Sequence, residues 1–299
     1  MNVLLMSRYG RLGASSRMRS LQYVPYLEAN DVYVDWRPLL DDDYVRDLYA
    51  GRPTNWRRVA KAYVTRAFQL LFSRRYDVIW IEKELFPMLP ATFERYLGQF
   101  GTPYVVDYDD AIFHNYDRHR RPWVRRVLGH KIDQVMARAA CVLAGNQYLA
   151  DRAVAAGADR VEILPTVIDL ERYTVVPPDS PGFTIGWIGS PGTAPYLSLV
   201  ADALRPICEL PDTRLLLVGA GEAGPDLPAE RRPWSEEREA ADISEFDVGI
   251  MPLPDEPFER GKCGYKLIQY MASGKPVIAS PVGVNREIVS DGVDGYLAV

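Results

Sequence analysis

The chain has 299 residues and a mass of 33.8 kDa, which is more than one typical domain core accommodates and predicts two domains. An apolar content of 47% and a charged content of 25% are those of an ordinary soluble globular protein, and the net charge of −5 disfavours nucleic acid as a partner. Three cysteines and three histidines, with no close cluster, disfavour a structural zinc site and suit a reducing cytoplasm.

The chain opens with a short apolar run, Asn2–Met6, that predicts a buried β-strand. The run is too short for the core of a signal peptide, and no run in the sequence approaches transmembrane length. A loop containing Gly10 and Gly13 leads into a helical pattern, which is how many nucleotide-binding α/β domains begin, so Gly13 is a candidate ligand contact. The loop lacks a GxGxxG pattern, which disfavours an NAD-dependent oxidoreductase. Val32–Trp36 is the next predicted strand.

Residues 52–75 predict a basic amphipathic helix, with seven lysines and arginines, no acidic residue and apolar side chains at helical spacing. One interpretation packs the apolar stripe on the N-terminal sheet and leaves the arginines in solvent. The other lays the helix on an anionic membrane surface. The first is slightly favoured because every α/β domain needs such helices. A second basic run around Trp123, from Arg118 to Arg126, supports the membrane interpretation.

Two predicted strands end in charged clusters. Asp77–Ile81 is followed by Glu82, Lys83 and Glu84, and Pro103–Tyr108 is followed by Asp109 and Asp110. Carboxylates at the carboxyl end of a parallel strand lie where α/β proteins bind ligands. Asp109 and Asp110 are therefore candidates for contacting a sugar hydroxyl or stabilising positive charge at a reacting carbon. The alternative is that they cap the following helix.

A Pro/Gly-rich stretch at 177–182 predicts a linker, which divides the chain into an N-terminal domain, 1–180, and a C-terminal domain, 181–299. The remaining predicted strands are Ala140–Ala144 and Val161–Pro165 before the linker, and Phe183–Ile188 and Arg214–Val218 after it. Small residues and hydroxyls after the latter two strands predict a phosphate nest, comprising Gly189, Ser190, Thr193 and Gly219. Trp234, in a loop before a helix, could stack on a nucleobase or cover the core.

The stretch 247–280 predicts a parallel βαβ unit: a strand around Val248–Leu253, a helix from Tyr265 to Ser273 and a strand at Val277–Ser280. Gly274 is expected to end the helix in a left-handed conformation. A helix N-terminus attracts anions, and this one is flanked by Gly264, Tyr265 and the cations Lys262 and Lys266, with Glu259 on the same loop. The pattern fits a phosphate-bearing ligand with hydroxyl groups and equally fits an ordinary loop with solvated lysines.

Several segments together resemble the GT-B glycosyltransferases of the family-4 type. They are Gly145–Leu149, Ile185–Ser190, Asp247–Leu253, Lys262–Ala272 and Gly274–Ser280. The resemblance implies two Rossmann-like domains facing a cleft. It also implies transfer of a sugar from a nucleotide-diphosphate donor with retention of configuration and without a bound metal or other cofactor. The donor would bind the C-terminal domain and the acceptor the N-terminal one.

The sequence departs from this family in three places. The family often carries two glutamates eight positions apart, where this chain has Gly261 and Gln269; Glu259 replaces the first only if the loop is rearranged. Paired basic residues often found after the first strand of the second domain are replaced by Ser190 and Thr193, which shifts diphosphate neutralisation to lysines. The sequence ends before the family's final helices, so a truncated C-terminal domain is expected.

The resemblance and the motifs assign residues as follows. The catalytic candidates are Asp109, Asp110, Lys262 and Lys266; the predicted nucleotide-sugar contacts are Gly13, Gly189, Ser190, Thr193, Gly219, Trp234, Glu259, Gly264, Tyr265 and Gln269. The expected acceptor is lipid-linked or a saccharide, in bacterial cell-surface polysaccharide or glycolipid synthesis. The expected location is the cytoplasm, peripheral to the inner face of the membrane. A catalytically inactive nucleotide-sugar-binding subunit is the main alternative, ahead of the oxidoreductase.

Overall fold

The computed structural model describes residues 1–97, 102–175 and 182–298, which form two compact α/β units. Unit 1 comprises Met1–Thr166 and Gly261–Cys263, and unit 2 comprises Val167–Arg260 and the residues from Gly264 onward. The predicted boundary at 180/181 and most of the predicted linker lie in 176–181, outside the described residues. By contacts the units divide after Thr166, because Ile168 and Tyr173 pack with the hydrophobic core of unit 2.

Unit 1 is built on a six-stranded parallel sheet in the order β2-β1-β3-β4-β5-β6. Its strands are β1 (Asn2–Met6), β2 (Tyr33–Trp36), β3 (Val78–Glu82), β4 (Tyr104–Tyr108), β5 (Cys141–Ala144) and β6 (Val161–Ile163). Its α-helices are α1 (Ala14–Arg19), α2 (Val24–Ala29), α3 (Asp42–Tyr49), α4 (Trp56–Leu71), α5 (Thr92–Leu97), α6 (His114–Asp117), α7 (Pro122–Leu128), α8 (Lys131–Met136) and α9 (Gln147–Ala155). Short 3₁₀ turns occupy Leu21–Tyr23 and Ser73–Arg75.

Unit 2 has a second six-stranded parallel sheet, in the order β12-β11-β10-β7-β8-β9. Its strands are β7 (Phe183–Ile188), β8 (Thr213–Val218), β9 (Ala229–Arg232), β10 (Val248–Met251), β11 (Val277–Ala279) and β12 (Gly295–Leu297). Its α-helices are α10 (Ala201–Cys208), α11 (Glu239–Ser244), α12 (Pro257–Arg260), α13 (Tyr265–Ala272) and α14 (Asn285–Ile288), and 3₁₀ turns occupy Leu170–Arg172 and Ala194–Leu199.

The strand orders fix where each unit is expected to bind a ligand. In an open parallel sheet the crevice lies beyond the carboxyl ends of the strands at the point where the strand order reverses. That point falls between β1 and β3 in unit 1 and between β7 and β10 in unit 2. The segments that follow β1, β7 and β10 contain most of the candidate site residues, whereas Asp109 and Asp110 follow β4, Gly219 follows β8 and Trp234 follows β9.

The predicted α/β class with two parallel-sheet domains is confirmed, and every predicted strand is present with its ends shifted by at most two residues. Gly274 has the expected left-handed backbone, with φ of 71°. The two edge strands of the second sheet, β9 and β12, were not predicted from the sequence. β9 has the sequence Ala-Glu-Arg-Arg, and β12 is only three residues long, so neither has the apolar run by which a buried strand is recognised.

The favoured packing of the basic helix holds only in part. The helix is present as α4, and Tyr63 and Ala67 of its apolar stripe pack against the core of unit 1, as that interpretation required. Trp56 and Phe68 of the same stripe are exposed. Arg66 is buried, where its guanidinium donates to the carbonyls of Ser7 and Arg37 at 2.8 and 2.9 Å.

Two paired glycines make room for the helix that carries the predicted anion site. Gly186 of β7 lies opposite Gly249 of β10. A Cβ on Gly186 would lie 2.0 Å from the Phe246 ring, and one on Gly249 would lie 2.3 Å from the Tyr270 ring of α13. The Tyr270 hydroxyl accepts a hydrogen bond from the Ile188 amide at 3.1 Å and so fixes α13 against the sheet.

We expect Gly249→Ala to destabilise the protein by about 1–3 kcal/mol, because an added methyl group forces the Tyr270 ring from its packed position. The midpoint of urea unfolding, followed by circular dichroism, measures the change. Gly192→Ala is the matched control, since its Cβ would have only the Ser190 hydroxyl within 4 Å, at 3.8 Å. Equal midpoints for the two variants would contradict the packing argument.

Candidate functional site

The carboxyl edge of the first sheet contains a compact cluster of charges at the ends of β3 and β4. The Lys83 ammonium lies 2.9 Å from an oxygen of Asp109 and 3.0 Å from one of Asp110, and it donates to the Ser15 hydroxyl at 3.0 Å. Lys83 has a left-handed backbone with φ of 64°, an uncommon conformation for a residue with a side chain. The sequence analysis predicted the two aspartates but missed the lysine that joins them.

Two members of the cluster, Lys83 and Asp110, are held in the ionised form. Burial alone would lower the pKa of Lys83, but the carboxylates of Asp109 and Asp110 raise it above its ordinary value. Burial would likewise raise the pKa of Asp110, but Lys83 and then Lys262 hold it well below its usual range. Asp110 is therefore a carboxylate at neutral pH, and part of its side chain remains accessible.

A second buried ion pair stands behind this cluster. Arg19 donates two hydrogen bonds to Asp107, at 2.8 and 3.2 Å, and a third to the Leu164 carbonyl at 2.7 Å. Burial raises the pKa of Asp107 to about 6 even though Arg19 lowers it. The pair ties α1, β4 and the end of β6 together, and so supports the loop on which Asp109 and Asp110 lie.

Lys262 belongs to unit 1 by its contacts, in a segment of three residues, Gly261–Cys263. Its ammonium lies 3.5 Å from Asp110. Asn146 fixes the segment, because its amide donates to the carbonyls of Gly261 and Lys262 at 2.9 and 3.1 Å, and its oxygen caps α9 at the amide of Leu149. The structure therefore joins Lys262 to the predicted aspartates.

The same segment explains the missing family glutamate. A Cβ on Gly261 would lie 2.5 Å from the Cβ of Ala111 and 2.8 Å from its backbone nitrogen. The Cys263 thiol contacts the same loop of unit 1, 3.2 Å from the carbonyl of Asp109. A glutamate at position 261 has no room unless the backbone moves.

Gly13 forms the start of α1 in unit 1. Its φ of −72° is available to any residue, but a Cβ there would lie 2.6 Å from the Cβ of Tyr9. Gly13 therefore lets the loop after β1 fold tightly. Next to this loop, the Ser16 hydroxyl and the Arg8 amide donate to the buried carboxylate of Glu82 at 2.6 and 3.1 Å.

In unit 2, the loops after β7 and β8 pack backbone to backbone. Gly219 has φ of 80°, and a Cβ there would lie 2.3 Å from the carbonyl oxygen of Gly189. The Ser190 amide donates to the Thr193 hydroxyl at 3.2 Å, and that hydroxyl donates to the Ser190 carbonyl at 3.1 Å. The four predicted nest residues therefore come together at the carboxyl edge of the second sheet.

Lys266 is held beside these loops. Its ammonium lies 5.6 Å from the centre of the Trp187 ring, and that ring packs so close to Gly189 that a Cβ there would be 2.5 Å away. Gly264 begins α13 with φ of 65°, and a Cβ there would lie 2.3 Å from the side chain of Ile288. A cation thus lies at the carboxyl end of β7, on the helix that Tyr270 fixes to the sheet.

Three other predicted ligand contacts converge on Glu239, a buried carboxylate that the sequence analysis missed. Trp234 donates to it at 2.8 Å and Tyr265 at 3.4 Å. Tyr173 donates to the same carboxylate at 2.9 Å and accepts from the Gln269 amide at 3.1 Å. Their polar atoms make these contacts within unit 2, and Gln269 is itself buried.

Glu259 lies on α12 and is also buried, where its carboxylate accepts a hydrogen bond from the Tyr196 hydroxyl. Within residues 1–97, 102–175 and 182–298, no three histidine, cysteine, aspartate or glutamate side chains are grouped in a way that could hold a metal ion.

We expect Lys83→Met to lower the free energy of unfolding by about 3 kcal/mol at pH 7, because two partly buried carboxylates lose their shared cation. The lowered pKa of Asp110 gives stability that is present above its ordinary pKa of about 4 and lost as the pH falls through the folded value. The difference between the variant and the parent should therefore shrink in acid. Urea unfolding at neutral and acidic pH measures it, with Lys83→Arg as the charge-retaining control. A loss that does not depend on pH would contradict the charge argument.

We expect Asn146→Asp to lower the free energy of unfolding by about 2 kcal/mol at neutral pH, because its carboxylate faces the carbonyls of Gly261 and Lys262. The oxygen that caps α9 is retained. Those carbonyls should raise the pKa of the new carboxyl, so the loss should diminish as the pH falls and the group becomes a donor. Urea unfolding as a function of pH measures this, with Asn146→Ala as the variant whose loss is independent of pH. Parallel profiles for the two variants would contradict the assigned contacts.

Family models match both parts of the chain. The model described as glycosyl transferase 4-like domain matches residues 10–166, and the one described as glycosyl transferases group 1 matches residues 182–299. TuaH of Bacillus subtilis (strain 168), which bears the name of a teichuronic acid biosynthesis glycosyltransferase, is 24% identical over 179 residues. That match covers 52% of this chain and 44% of TuaH, so it spans less than half of the relative's length.

Solved structures share the fold over the whole chain. Alr3699/HepE of Anabaena, in complex with UDP and glucose, is 17% identical with a TM-score of 0.64, over 100% of this chain and 86% of that one. A glycosyltransferase from Rickettsia africae ESF-5 is 11% identical with a TM-score of 0.63, over 99% and 83%. These likenesses confirm the predicted GT-B fold. Because the glycosyl transferase 4-like model alone matches more than half of the residues, the chain belongs to the glycosyltransferase 4-like family.

Proposed function

We propose that this chain transfers a sugar from a nucleotide-diphosphate donor to an acceptor hydroxyl, with retention of configuration and without a bound metal. The observation that carries the proposal is the Lys266 ammonium, held over Trp187 at the carboxyl end of β7 beside the Gly189–Thr193 loop. Family membership supports the activity, and the family resemblance supports retention.

Binding of the donor diphosphate requires a positive charge and backbone amides that the phosphates can approach closely. Enzymes lower reaction barriers by about 8–23 kcal/mol, whereas a helix N-terminus contributes only about 0.3–2 kcal/mol toward a nearby anion. A fixed cation in a water-poor site contributes several kcal/mol more to a departing diphosphate. Lys266 supplies that cation, and the glycines at 189 and 219 let a phosphate approach the backbone amides. HepE was solved with UDP and with UDP-glucose, which supports UDP as the first nucleotide to test.

Binding of the sugar-accepting substrate requires an accessible side chain that can accept a hydrogen bond from its hydroxyl group. Asp110 is ionised and partly exposed, so it can orient a sugar hydroxyl and receive its hydrogen bond. In the transfer, the bond from the anomeric carbon to the donor phosphate oxygen breaks and the bond to the acceptor oxygen forms. The proton of the acceptor hydroxyl passes to an oxygen of the departing diphosphate, which leaves as the nucleoside diphosphate anion. Lys262, paired with Asp110 in this structure, adds positive charge at the same place.

The acceptor class that we propose is a saccharide or lipid-linked precursor of a cell-surface polysaccharide, at the cytoplasmic face of the membrane. The name of TuaH, a teichuronic acid biosynthesis glycosyltransferase, supports a polymer of this class. The three cysteines are free thiols, as a reducing compartment requires.

We expect Lys266→Met to lower turnover by about 10²–10³-fold, because methionine keeps a side chain of similar length beside Trp187 while the charge at the leaving diphosphate is lost. Release of UDP from UDP-sugars in the presence of cell-surface glycan precursors measures turnover, and anomeric proton signals of the product report retention. Arg286→Met, which removes an exposed cation of the same unit, is the matched control.

Full transfer by Lys266→Met would remove the electrostatic assignment. Binding of UDP to the parent, seen as a raised melting temperature but without transfer or donor hydrolysis, would favour the nucleotide-sugar-binding subunit instead. Loss of activity in excess EDTA would contradict the metal-independent mechanism.

A further inference from the structure

Helix α4 of unit 1 is anchored to its own sheet by one face only. Tyr63, Ala67 and Leu70 pack against the hydrophobic core, and the Tyr63 hydroxyl donates to the Pro87 carbonyl at 2.8 Å. On the same face, Arg66 donates its two hydrogen bonds to backbone carbonyls in the interior. These contacts fix the rotation of the helix, so the opposite face points outward because of packing and not because the helix ends fray.

The outward face of α4 is apolar to a degree unusual for a solvated helix. Trp56 is 75% exposed, Phe68 60%, Leu71 68% and Phe72, which follows the helix, 64%. Residues three or four apart lie on one side of a helix, so Val64, Phe68, Leu71 and Phe72 form an apolar stripe, and Trp56 is exposed at the N-terminal end of the same helix. The helix has 16 residues, which makes it about 24 Å long.

Positive charge borders this stripe at its N-terminal end. Of the seven lysines and arginines in residues 52–75, Arg66 is buried and Arg75 is paired with Asp35. Arg52 and Arg58 are paired with aspartates of α3 and the loop before it. Arg57 and Lys61 have no ion-pair partner in the part of the chain that the structure describes. We call the exposed side chains of this helix the basic apolar face; they are Trp56, Arg57, Lys61, Val64, Phe68, Leu71 and Phe72.

A second segment of unit 1, around α7, also combines exposed apolar side chains with arginines. Trp123 and Val127, one turn apart on α7, are exposed, and residues 118–126 contain five arginines and no acid. The amide of Met88, next to the Pro87 that Tyr63 contacts, donates to the hydroxyl of Tyr116 at 3.1 Å. These contacts connect α4, through the loop at Pro87 and Met88, to Tyr116 of α6, the helix before α7. Met88 and Leu89 of that loop are also exposed apolar side chains.

We propose that the basic apolar face docks on an anionic membrane surface, with α4 lying in the plane of the interface. Exposed aromatic and aliphatic side chains enter the boundary between headgroups and acyl chains, and bordering cations attract anionic lipids. None of the helices in the described residues has the length and hydropathy to cross a bilayer. The inference is independent of the proposed transfer reaction.

Charge argues against the other occupants of this face. In a two-fold dimer the same patch meets itself, so the unpaired cations Arg57 and Lys61 would face their own copies. Nucleic acid would satisfy the cations but would leave Phe68, Leu71 and Phe72 exposed, on a chain whose net charge is −5. An anionic bilayer accommodates both the apolar stripe and its border.

The test is flotation of the full chain with vesicles of phosphatidylcholine alone or mixed with phosphatidylglycerol. We expect flotation with the mixed vesicles only, weakened by salt because the charge contribution is screened. Each cation near an anionic surface contributes about fivefold in partition, so Arg57→Glu with Lys61→Glu should reduce binding by at least about 25-fold. Trp56→Ser with Phe68→Ser should reduce it by at least about tenfold.

The matched controls change the same chemistry on unit 2. Arg205→Glu with Arg286→Glu makes the same change in net charge, and Leu210→Ser with Val293→Ser removes two exposed apolar side chains. Both controls should float like the parent. Circular dichroism melting of every variant confirms folding.

Three outcomes would overturn the proposal. The first is a parent that does not float, or that floats equally with both vesicle types. The second is a folded Arg57→Glu/Lys61→Glu variant that binds like the parent. The third is a parent dimer in sedimentation velocity that Trp56→Ser/Phe68→Ser dissociates, without vesicle binding by either protein, since this would assign the face to a second copy of the chain.

Discussion

A buried ammonium group at the end of β3 organises the carboxyl edge of the first sheet. Lys83 joins Ser15 after β1 to Asp109 and Asp110 after β4, so three loops depend on one side chain. The left-handed backbone at Lys83 costs of the order of 1–3 kcal/mol, which persists only because the surrounding contacts over-determine it. The strain and the buried charge together give Asp110 a fixed position and a fixed ionisation state, and those are the properties an acceptor site needs.

Unit 2 constructs its carboxyl edge in a different way. Glycines let its loops and helices come closer than side chains would allow: Gly189 meets Gly219, and Gly249 meets Tyr270. The cation Lys266 lies on this closely packed helix, one turn before Tyr270. The Tyr270 hydroxyl accepts a hydrogen bond from the backbone of β7. The position of the charge therefore follows from backbone packing, whereas in unit 1 the position of the backbone follows from the charges.

The sequence predicts what depends on local pattern and misses what depends on orientation. Apolar runs located the buried strands, and the left-handed Gly274 was predicted because a glycine before a proline ends a helix. Lys83 was not recognised because Glu-Lys-Glu is typical of a solvated turn, and only the three-dimensional arrangement turns it inward. Glu239 was missed for the same reason, since it lies in an acidic stretch where no spacing marks it.

The basic helix shows this limit most clearly. Its periodicity predicted a helix, but apolar residues occupy more than one side of it, so the pattern alone did not select the buried face. The choice is made by contacts far away in sequence: Arg66 bonds to the loops after β1 and β2, and Tyr63 bonds to the loop after β3. Hydrophobic periodicity always assigns an arginine of a helix to the solvent-exposed face, so it cannot predict that one is buried.

The departures from the family pattern at positions 190, 193, 261 and 269 can be explained together by the space and the charge available at each position. At position 261 there is no room for a glutamate, because Ala111 and the Asn146 contacts enclose the backbone. At position 269 the amide of Gln269 is engaged by Tyr173 inside unit 2. The paired cations often found at the end of the first strand of that unit are replaced by Ser190 and Thr193, which bond to each other. The chain thus lacks both negative and positive charges that the family resemblance assigns to the donor. Because charges of opposite sign are lost together, the net charge at this edge of unit 2 changes less than either departure alone would produce, which is consistent with the proposal that Lys266 serves a diphosphate without a second basic residue on the loop.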